Sequence, residues 1–478
     1  MTPAIDLTRL PAALTQAVRD IAQRIRAARG RALLVGGAVR DLLMDDSAPV
    51  KDVDLEVFGL PADTLRALLS KRYALDLVGL SFGVLKIHHL DIDISLPRRE
   101  SKSGLGHKGF EIASDPFLSV AEAAQRRDFT LNALYYDPLT DELIDPTNGL
   151  DDLRRGILRH ISDHFREDPL RVLRGMQFIA RFNLTPAPET VALCRNIEPE
   201  GLPPERQFEE WAKLLVKGKA ISRGLAFLRE TGWVTYYPEL AALIGCRQDP
   251  VWHAEGDVWN HTCRCLDAFA QARGDGDPAE DLIVGLAVLC HDFGKPATTA
   301  WLRGRWRSPG HDTAGLTPTR SFLRRLTNEE RILRDVPPLV TQHMQPFALW
   351  KAQAGDAAVR RLAVRVKRID RLIRVARADD EGRLIGDSPR GNPKSGDELI
   401  WLAEAAERLR IAAEAPKPLL MGRHLIERGY KPSAQFGLWL AASFEAQLDG
   451  AFSDLPGALE HARTHILPPP PAPAAPAR

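Results

Sequence analysis

Cysteine is scarce in this chain of 478 residues: five, at positions 194, 246, 263, 265 and 290. So few, and odd in number, they exclude a disulfide scaffold and suit a reducing cytoplasm. Long apolar runs are also missing. The longest, Leu282–Cys290, is far short of a bilayer span, so no transmembrane helix is expected. The N-terminus places Asp6 and Arg9 in a mixed pattern with no apolar core of a signal peptide. Neither charge sign dominates, with 64 Lys+Arg against 63 Asp+Glu, and no internal repeat is found. Secreted, membrane and disulfide-stapled classes are excluded. A chain of this length predicts two to four domains around ordinary soluble cores.

What is present changes character along the chain. From about Arg31 to Asp145, strand-like and helix-like segments alternate. Ala32–Val35 is apolar, while Asp52–Phe58 and Gly83–Leu96 alternate apolar and polar residues, the mark of half-buried strands. Pro61–Lys71 between them reads as a helix. From Leu150 onward the pattern is almost wholly helical, broken at Ala272–Glu280 and at Gly386–Gly396. The tail from Pro468, PPPPAPAAPAR, has nothing to build a core with and is expected to be disordered. The fold class expected is α+β, a mixed head followed by a helical body.

Gly36-Gly37-Ala38-Val39-Arg40-Asp41 follows a strand and opens a helix. Two glycines there let backbone N–H groups approach an anion, although many such turns are merely tight. Next comes Asp52-Val53-Asp54. Residues i and i+2 of a strand share a face, so these carboxylates stand together and call for a hard cation such as Mg²⁺. His89-Leu90-Asp91-Ile92-Asp93 repeats the arrangement and offers Asp93 as a third acid. One such pair could be a solvated strand face; glycine turn, pair and later acid in this order point to a metal site.

Three further segments extend this order: Arg126-Arg127-Asp128-Phe129-Thr130-Leu131-Asn132-Ala133, Asp145–Leu153, and Glu167-Asp168-Pro169-Leu170-Arg171-Val172-Leu173-Arg174. Glu205-Arg206 and Glu210–Leu215 follow. Together, over residues 30–220, they resemble the class II tRNA nucleotidyltransferases and bacterial poly(A) polymerases. The resemblance implies a head of the polymerase β nucleotidyltransferase type. It implies that Asp52 and Asp54 hold Mg²⁺, with Asp93 helping to deprotonate a 3′-hydroxyl. Gly37, Arg40, Arg127 and Arg174 would meet the triphosphate, and Asp128 and Asn132 the ribose. Glu167, Asp168 and Arg171 would read CTP and ATP.

If Glu167, Asp168 and Arg171 lie on one helix, spacings of three and four put them on one face, where an intrahelical ion pair is the bland reading. In a nucleotide pocket a carboxylate accepts from the amine of cytosine or adenine, and a guanidinium donates to the ring nitrogen. Uracil and guanine would meet the wrong partners. One departure stands out: where the family usually has an arginine before Phe178, this chain has Gln177, which puts a phosphate contact there in question.

A second constellation is His291-Asp292 within Leu289–Lys295, preceded by His261 and followed by Asp379. The dipeptide alone is common. With those partners it resembles the HD phosphohydrolases, which implies metal ligation by His261, His291, Asp292 and Asp379. The metal would be Mg²⁺, Mn²⁺ or Ni²⁺, acting on 2′,3′-cyclic phosphates and phosphomonoesters. His253, His311 and His343 are further ligands, phosphate binders or plain structural histidines. Cys263 and Cys265 have the wrong spacing for zinc and read as packing residues.

Head and HD segment together resemble the multifunctional bacterial CCA-adding proteins, up to about Gly450, including a late motif at Gly422–Pro432 that contacts tRNA in the family. The implied layout is a head at 1–148, a helical neck at 149–245, an HD domain at 246–395, a C-terminal helical region at 396–466, and the tail. The partners implied are tRNA, CTP and ATP, in the cytoplasm and away from membranes. Between Arg320 and Arg377, 14 Lys+Arg face 5 Asp+Glu, either a phosphate-backbone surface or a solvated helix face. The alternatives are A-adding, CC-adding and poly(A)-adding enzymes, or an RNA-binding HD hydrolase with a vestigial head. Gly79-Leu80-Ser81-Phe82, without a basic pair, argues against poly(A) addition. The choice among CCA, CC and A would turn on the loop Arg99–Gly109.

Overall fold

The structure, a computed structural model, describes residues 5–44, 50, 52–76, 84–102, 110–274, 276–385 and 396–469, without the side chains of 99–102 and 110–113. Residues 79–82, most of the loop 99–109, most of the break at 386–396 and the tail from 470 lie outside the described residues. Two compact units divide the chain, Met1–Tyr236 and Tyr237–Arg478.

The head of the first unit is built, among the described residues, on strands β1 (Arg31–Val35), β2 (Val53–Phe58), β3 (Leu75–Asp76), β4 (Val84–Ile87), β5 (Ile92–Ser95), β6 (Arg98–Lys102), β7 (Phe110–Ser114), β8 (Tyr135–Asp137) and β9 (Glu142–Ile144). Seven form a sheet in the order β3-β4-β5-β2-β1-β8-β9, and β6 pairs with β7 as a separate ribbon. Among the described residues of the sheet, β2 and β5 run parallel and the other neighbours antiparallel.

Alternation along these strands sorts the two faces. Val53, Leu55, Val57, Ile92 and Ile94 turn into the main core, where the helix Ala12–Ala27 covers them with Leu14, Val18, Ile21 and Ile25. Those four recur every three or four residues, and each buried aliphatic side chain contributes about 1.5–3 kcal/mol. Asp54, Glu56, Asp93 and Ser95 are thereby forced to the opposite face. After the sheet, the helices Leu170–Phe182, Pro204–Lys217 and Ile221–Glu230 pack together around Trp211 and Phe227, both fully buried.

In the second unit the apolar run found in the sequence is a buried helix, Pro278–Cys290, hydrophobic all round from Ile283 onward. Around it pack the helices Val258–Ala272, Glu330–Gln342 and Ile369–Gly382. A separate cluster of Leu420, Leu425, Tyr430, Phe436, Ala458 and Ala462 holds the late motif.

The expectation of an almost wholly helical chain after Leu150 needs correction at two short ribbons. β10 (Ile157–Leu158) pairs with β11 (Thr185–Pro186), and β12 (Ala300–Leu302) with β13 (Arg305–Arg307). Arg303 and Gly304, both at positive φ, form the tip of the second hairpin, the geometry that matches the twist of its strands.

Candidate functional sites

At the head site, backbone register does the positioning. Asp54 stands opposite Val35 on β1 and beside Asp93 on β5. Asp52 precedes β2 by one residue. Burial pushes the Asp54 carboxyl up; Arg127 opposes this, while Asp93 and Asp52 push the same way. Asp93 is ion-paired to Lys86 at 3.0 Å. Gly36, at φ +75°, begins the next helix with its Cα against this group. A Cβ there would lie 3.3 Å from Asp54 Oδ2 and 3.6 Å from an Arg127 nitrogen. Glycine therefore serves both the left-handed turn and the close approach.

A cavity of about 570 Å³ opens onto Asp52 and Asp54, though not Asp93, and is lined also by Gly37, Arg40, Arg127, Asp128, Asn132 and Arg174. Arg40 is buried, donating to Asn132 Oδ1 at 2.6 Å with its guanidinium 4.4 Å from the Phe182 ring. Arg127 donates to Glu56 at 3.1 Å and to the Tyr135 hydroxyl at 3.3 Å. Asp128 accepts from Asn132 and Arg174. Burial alone would raise its carboxyl, but the Arg174 charge and the Asn132 hydrogen bond hold it down to about 2. Gln177 lines the cavity too and accepts from Arg181 at 3.2 Å. The charge missing at position 177 is thus found one turn along, on another residue lining the same cavity.

Glu167, Asp168 and Arg171 do not share a helical face, contrary to the sequence expectation. Pro169 keeps the preceding residue extended, so Glu167 ends a 3₁₀ turn, Asp168 has φ −124° and ψ 101°, and the helix starts only at Leu170. No ion pair joins the three. Glu167 is held by Arg126 at 3.4 Å and His164 at 2.8 Å, and Asp168 by Arg206 at 2.8 Å. Arg171 donates to the carbonyls of His164 and Arg126. These three residues are not among those lining the cavity. Arg126 and Arg206 stood in the quoted motifs, but nothing in their spacing announced them as carboxylate partners.

The second site gathers His261 and Asp379 from two helices, and His291 and Asp292 from the end of a third, Pro278–Cys290. His261 Nε2 lies 3.0 Å from Asp379, 3.7 Å from Asp292 and 3.4 Å from His291 Nε2. His291 Nε2 is 3.2 Å from Asp292. The ring orientations are fixed from behind. His291 Nδ1 donates to the Val288 carbonyl, His343 Nδ1 to Val340 and His311 Nδ1 to Ser308, each three residues back. His261 Nδ1 meets Glu255 at 2.9 Å. A carbonyl can only accept, so Nδ1 of His291, His311 and His343 carries the proton, and in the neutral ring Nε2 presents a lone pair.

Those lone pairs converge. His311 and His343 bring Nε2 atoms within 3.3 Å of each other, and His311 lies 3.5 Å from Asp292. Burial pushes His343 down to about 4. Both Asp292 oxygens are buried without a hydrogen bond of proper direction, although Lys295 Nζ is 2.7 Å away. Such a set of imidazoles and carboxylates matches the donors that borderline divalent ions select. Cys265, read from sequence as packing, lies 3.4 Å from His261 Nε2, and burial holds its thiol well above its usual range. Gly294 admits the His311 helix: a Cβ would fall 1.9 Å from the His311 carbonyl oxygen. A second cavity, of about 550 Å³, opens onto Asp292, His311, His343 and Asp379, with Lys295, Arg305, Arg307 and Arg383 on its walls. Neither Glu255 nor Lys295 was singled out by sequence; each is an ordinary charged residue until the fold places it.

The basic stretch Arg320–Arg377 is largely neutralised by acids outside it. Arg325 pairs with Glu239, Arg371 with Glu280, Arg374 with Asp281, and Arg361 with Glu445 and Asp449. Arg360 donates to the Leu448 carbonyl. A count along the sequence could not see these partners, and the phosphate-surface expectation loses most of its charge.

A model of the poly A polymerase head domain matches residues 32–159, the sheet and the glycine turn. The Multifunctional CCA protein of Xylella fastidiosa strain 9a5c is 36% identical over 399 residues, covering 79% of this chain and 89% of that protein. The Multifunctional CCA protein of Halorhodospira halophila is 34% identical over 410 residues, covering 83% and 91%. In fold, the chain is similar to the CCA-adding enzyme of Bacillus stearothermophilus solved with CTP, at a TM-score of 0.64, 22% identity, and 95% and 98% coverage. No described helix is long and apolar enough to cross a membrane. Identity at this level across nearly the full length of both relatives shows that the chain is an enzyme and belongs to the CCA-adding tRNA nucleotidyltransferases of the poly(A) polymerase family.

Proposed function

We propose that the head adds C, C and A to tRNA 3′ ends from CTP and ATP, and that the histidine site is a metal-dependent phosphohydrolase. The observation that carries the first reading is the register of Asp93 beside Asp54, which with Asp52 lines an arginine-rich cavity. Asp52 and Asp54 would hold Mg²⁺, which would supply charge neutralisation for both the attacking and the leaving oxygen, and Asp93 would help to deprotonate the 3′-hydroxyl. Arg40, Arg127 and Arg174, with the Gly36–Gly37 backbone, would orient the triphosphate so that the α-phosphorus faces the 3′-hydroxyl. Asp128, kept ionised by Arg174, would accept from the ribose. Glu167 and Asp168, already fixed by Arg126 and Arg206, would accept from the base amine once the base arrives.

The assembled acids and cavity count against a vestigial head, and the relatives' name favours CCA addition over poly(A), CC-only or A-only addition. The test is incorporation of single nucleotides into tRNA transcripts that lack A, CA or CCA at the 3′ end. The expected result is C, C and then A, with UTP and GTP refused. Addition of A alone, or a run of A, would replace this reading.

For the second site, His261, His291, Asp292 and Asp379 would hold the divalent ion, which when bound supplies an activated water. Ligands about 2.0–2.1 Å from such an ion would stand about 3.0–3.5 Å apart, and these nitrogens and oxygens lie 3.0 to 3.8 Å apart. Lys295 would neutralise the phosphate, and Glu255 would orient His261.

A further inference from the structure

The hairpin of β12 and β13 carries chemistry that neither site uses. Trp301 and Leu302 on its outer strand are 59% and 40% exposed. Trp301 meets Trp306 edge-on at 5.4 Å, and the Arg247 guanidinium lies 5.2 Å from the Trp306 ring. Arg247, Arg303 and Arg307 have no carboxylate partner among the described residues. Arg305 has only a long contact to Asp249, 3.8 Å. The buried Nε of Arg307 has no acceptor.

This pattern is the reverse of the stretch Arg320–Arg377, whose charges are spent on internal carboxylates. Here four arginines repel one another around a two-stranded ribbon, a structure of marginal stability by itself. Large aromatic faces and uncompensated cations in alternation are what a single strand of nucleic acid recognises, its bases stacking and its phosphates pairing. The ribbon is also continuous with the second cavity. Residues 305–309 line that cavity, and His311 belongs to the Asp292–His311–His343 group. A volume of about 550 Å³ suits roughly one nucleotide.

We propose that the hairpin Ala300–Arg307 grips single-stranded RNA and leads its phosphorylated end into this cavity. The substrate of the histidine site is then the end of an RNA chain and not a free nucleotide. The proposal rests on reading that site as a phosphohydrolase. Trp301 and Arg303 hold the nucleotides upstream of the end. Trp306 and Arg307 face the terminal nucleotide, and the Arg307 Nε meets its missing acceptor in the phosphate.

The test compares two substrates on the metal-loaded full chain: a hexaribonucleotide ending in a 2′,3′-cyclic phosphate, and the free cyclic mononucleotide of the same base. Trp301→Ala with Arg303→Gln changes two exposed side chains outside the cavity lining. In that variant kcat/KM for the hexamer should fall about tenfold, one base stack's worth, mostly through KM. For the mononucleotide it should stay within about twofold of the unsubstituted chain. Equal losses on both substrates, or no loss on either, would overturn the grip. Should the wild type hydrolyse neither, the phosphohydrolase reading falls separately. Anisotropy of a labelled hexaribonucleotide 3′-phosphate then decides the grip: a variant that binds it as tightly as wild type shows that Trp301 serves another partner, such as a protein.

Discussion

The two units hold their charged groups in opposite ways. In the head, Asp54 and Asp93 stand on the outer face of neighbouring strands with Asp52 just before the first, like charges raising the cost of ionising Asp54. In the second unit, imidazoles and carboxylates are sunk in the core, where each depends on the next. Asp292 is held far below the usual carboxylate range: burial opposes this, but His291 and Lys295 outweigh it. A site of mutually repelling acids stores instability for the sake of function, whereas a buried network of opposite charges is part of the core's own support. Removing one member should therefore read out differently in the two places.

The largest expected effect tests that contrast directly. Asp54→Asn should lower nucleotide addition by about a thousandfold or more, since metal stabilisation of the transition state contributes several kcal/mol. It should leave the unfolding midpoint unchanged or raised, because a repulsion is removed. Asp292→Asn should abolish hydrolysis, leave nucleotide addition intact, and destabilise the second unit by about 3 kcal/mol, as breaking a buried charge pair does. Calorimetry on both variants checks it. An Asp54→Asn protein as destabilised as Asp292→Asn would erase the distinction.

A smaller effect is expected behind the histidines. Glu255 touches both His253 and His261 on their Nδ1 side, and burial, although it pushes the other way, does not prevent its carboxyl from being held very low. It fixes the His261 ring without facing the convergent donors itself. Glu255→Gln should weaken Mn²⁺ or Ni²⁺ binding by about 10–100-fold, measured by titration calorimetry, with little change in nucleotide addition. Unchanged affinity would mean that His261 is oriented by packing alone.

The same contrast explains what could be read in the sequence. Strand alternation is a local rule, so Asp52 and Asp54 were legible as acids on one face, with Asp93 as a later third, whereas the register that sets Asp93 beside Asp54 came only with the strand order. The glycine turn was legible for the same reason: a positive φ and a close approach both demand Gly36. The histidine site spans 118 residues from His261 to Asp379, and only the resemblance joined them. No periodicity says that Glu255 turns inward or that Asp281 awaits Arg374. The Glu167–Arg171 segment misled because helical spacing was assumed across Pro169, whose effect on the residue before it was available to be used. The hairpin Ala300–Arg307 was overlooked although Arg303-Gly304 between alternating tryptophans and arginines is a turn signal.

The smallest effect is expected where sequence counting promised a large one. Arg360 and Arg361 sit in the densest part of the basic stretch, which as a phosphate surface would make both of them tRNA contacts. In the fold Arg361 reaches Glu445 and Asp449 at 3.0 and 2.8 Å, and Arg360 caps the Leu448 carbonyl at 3.1 Å. Binding a phosphate would require surrendering those partners, so the net gain is small. Arg360→Gln with Arg361→Gln should leave tRNA affinity within about twofold. The slope of log affinity against log salt should also hold, where two lost phosphate contacts would flatten it by about 1.4–1.8. Exposed ion pairs of this kind add little to stability, so the unfolding midpoint should move only slightly. Filter binding across a salt series decides it: a flattened slope would return these two arginines to the RNA surface and leave the carboxylates of the helix Ala434–Asp449 as partners only in its absence.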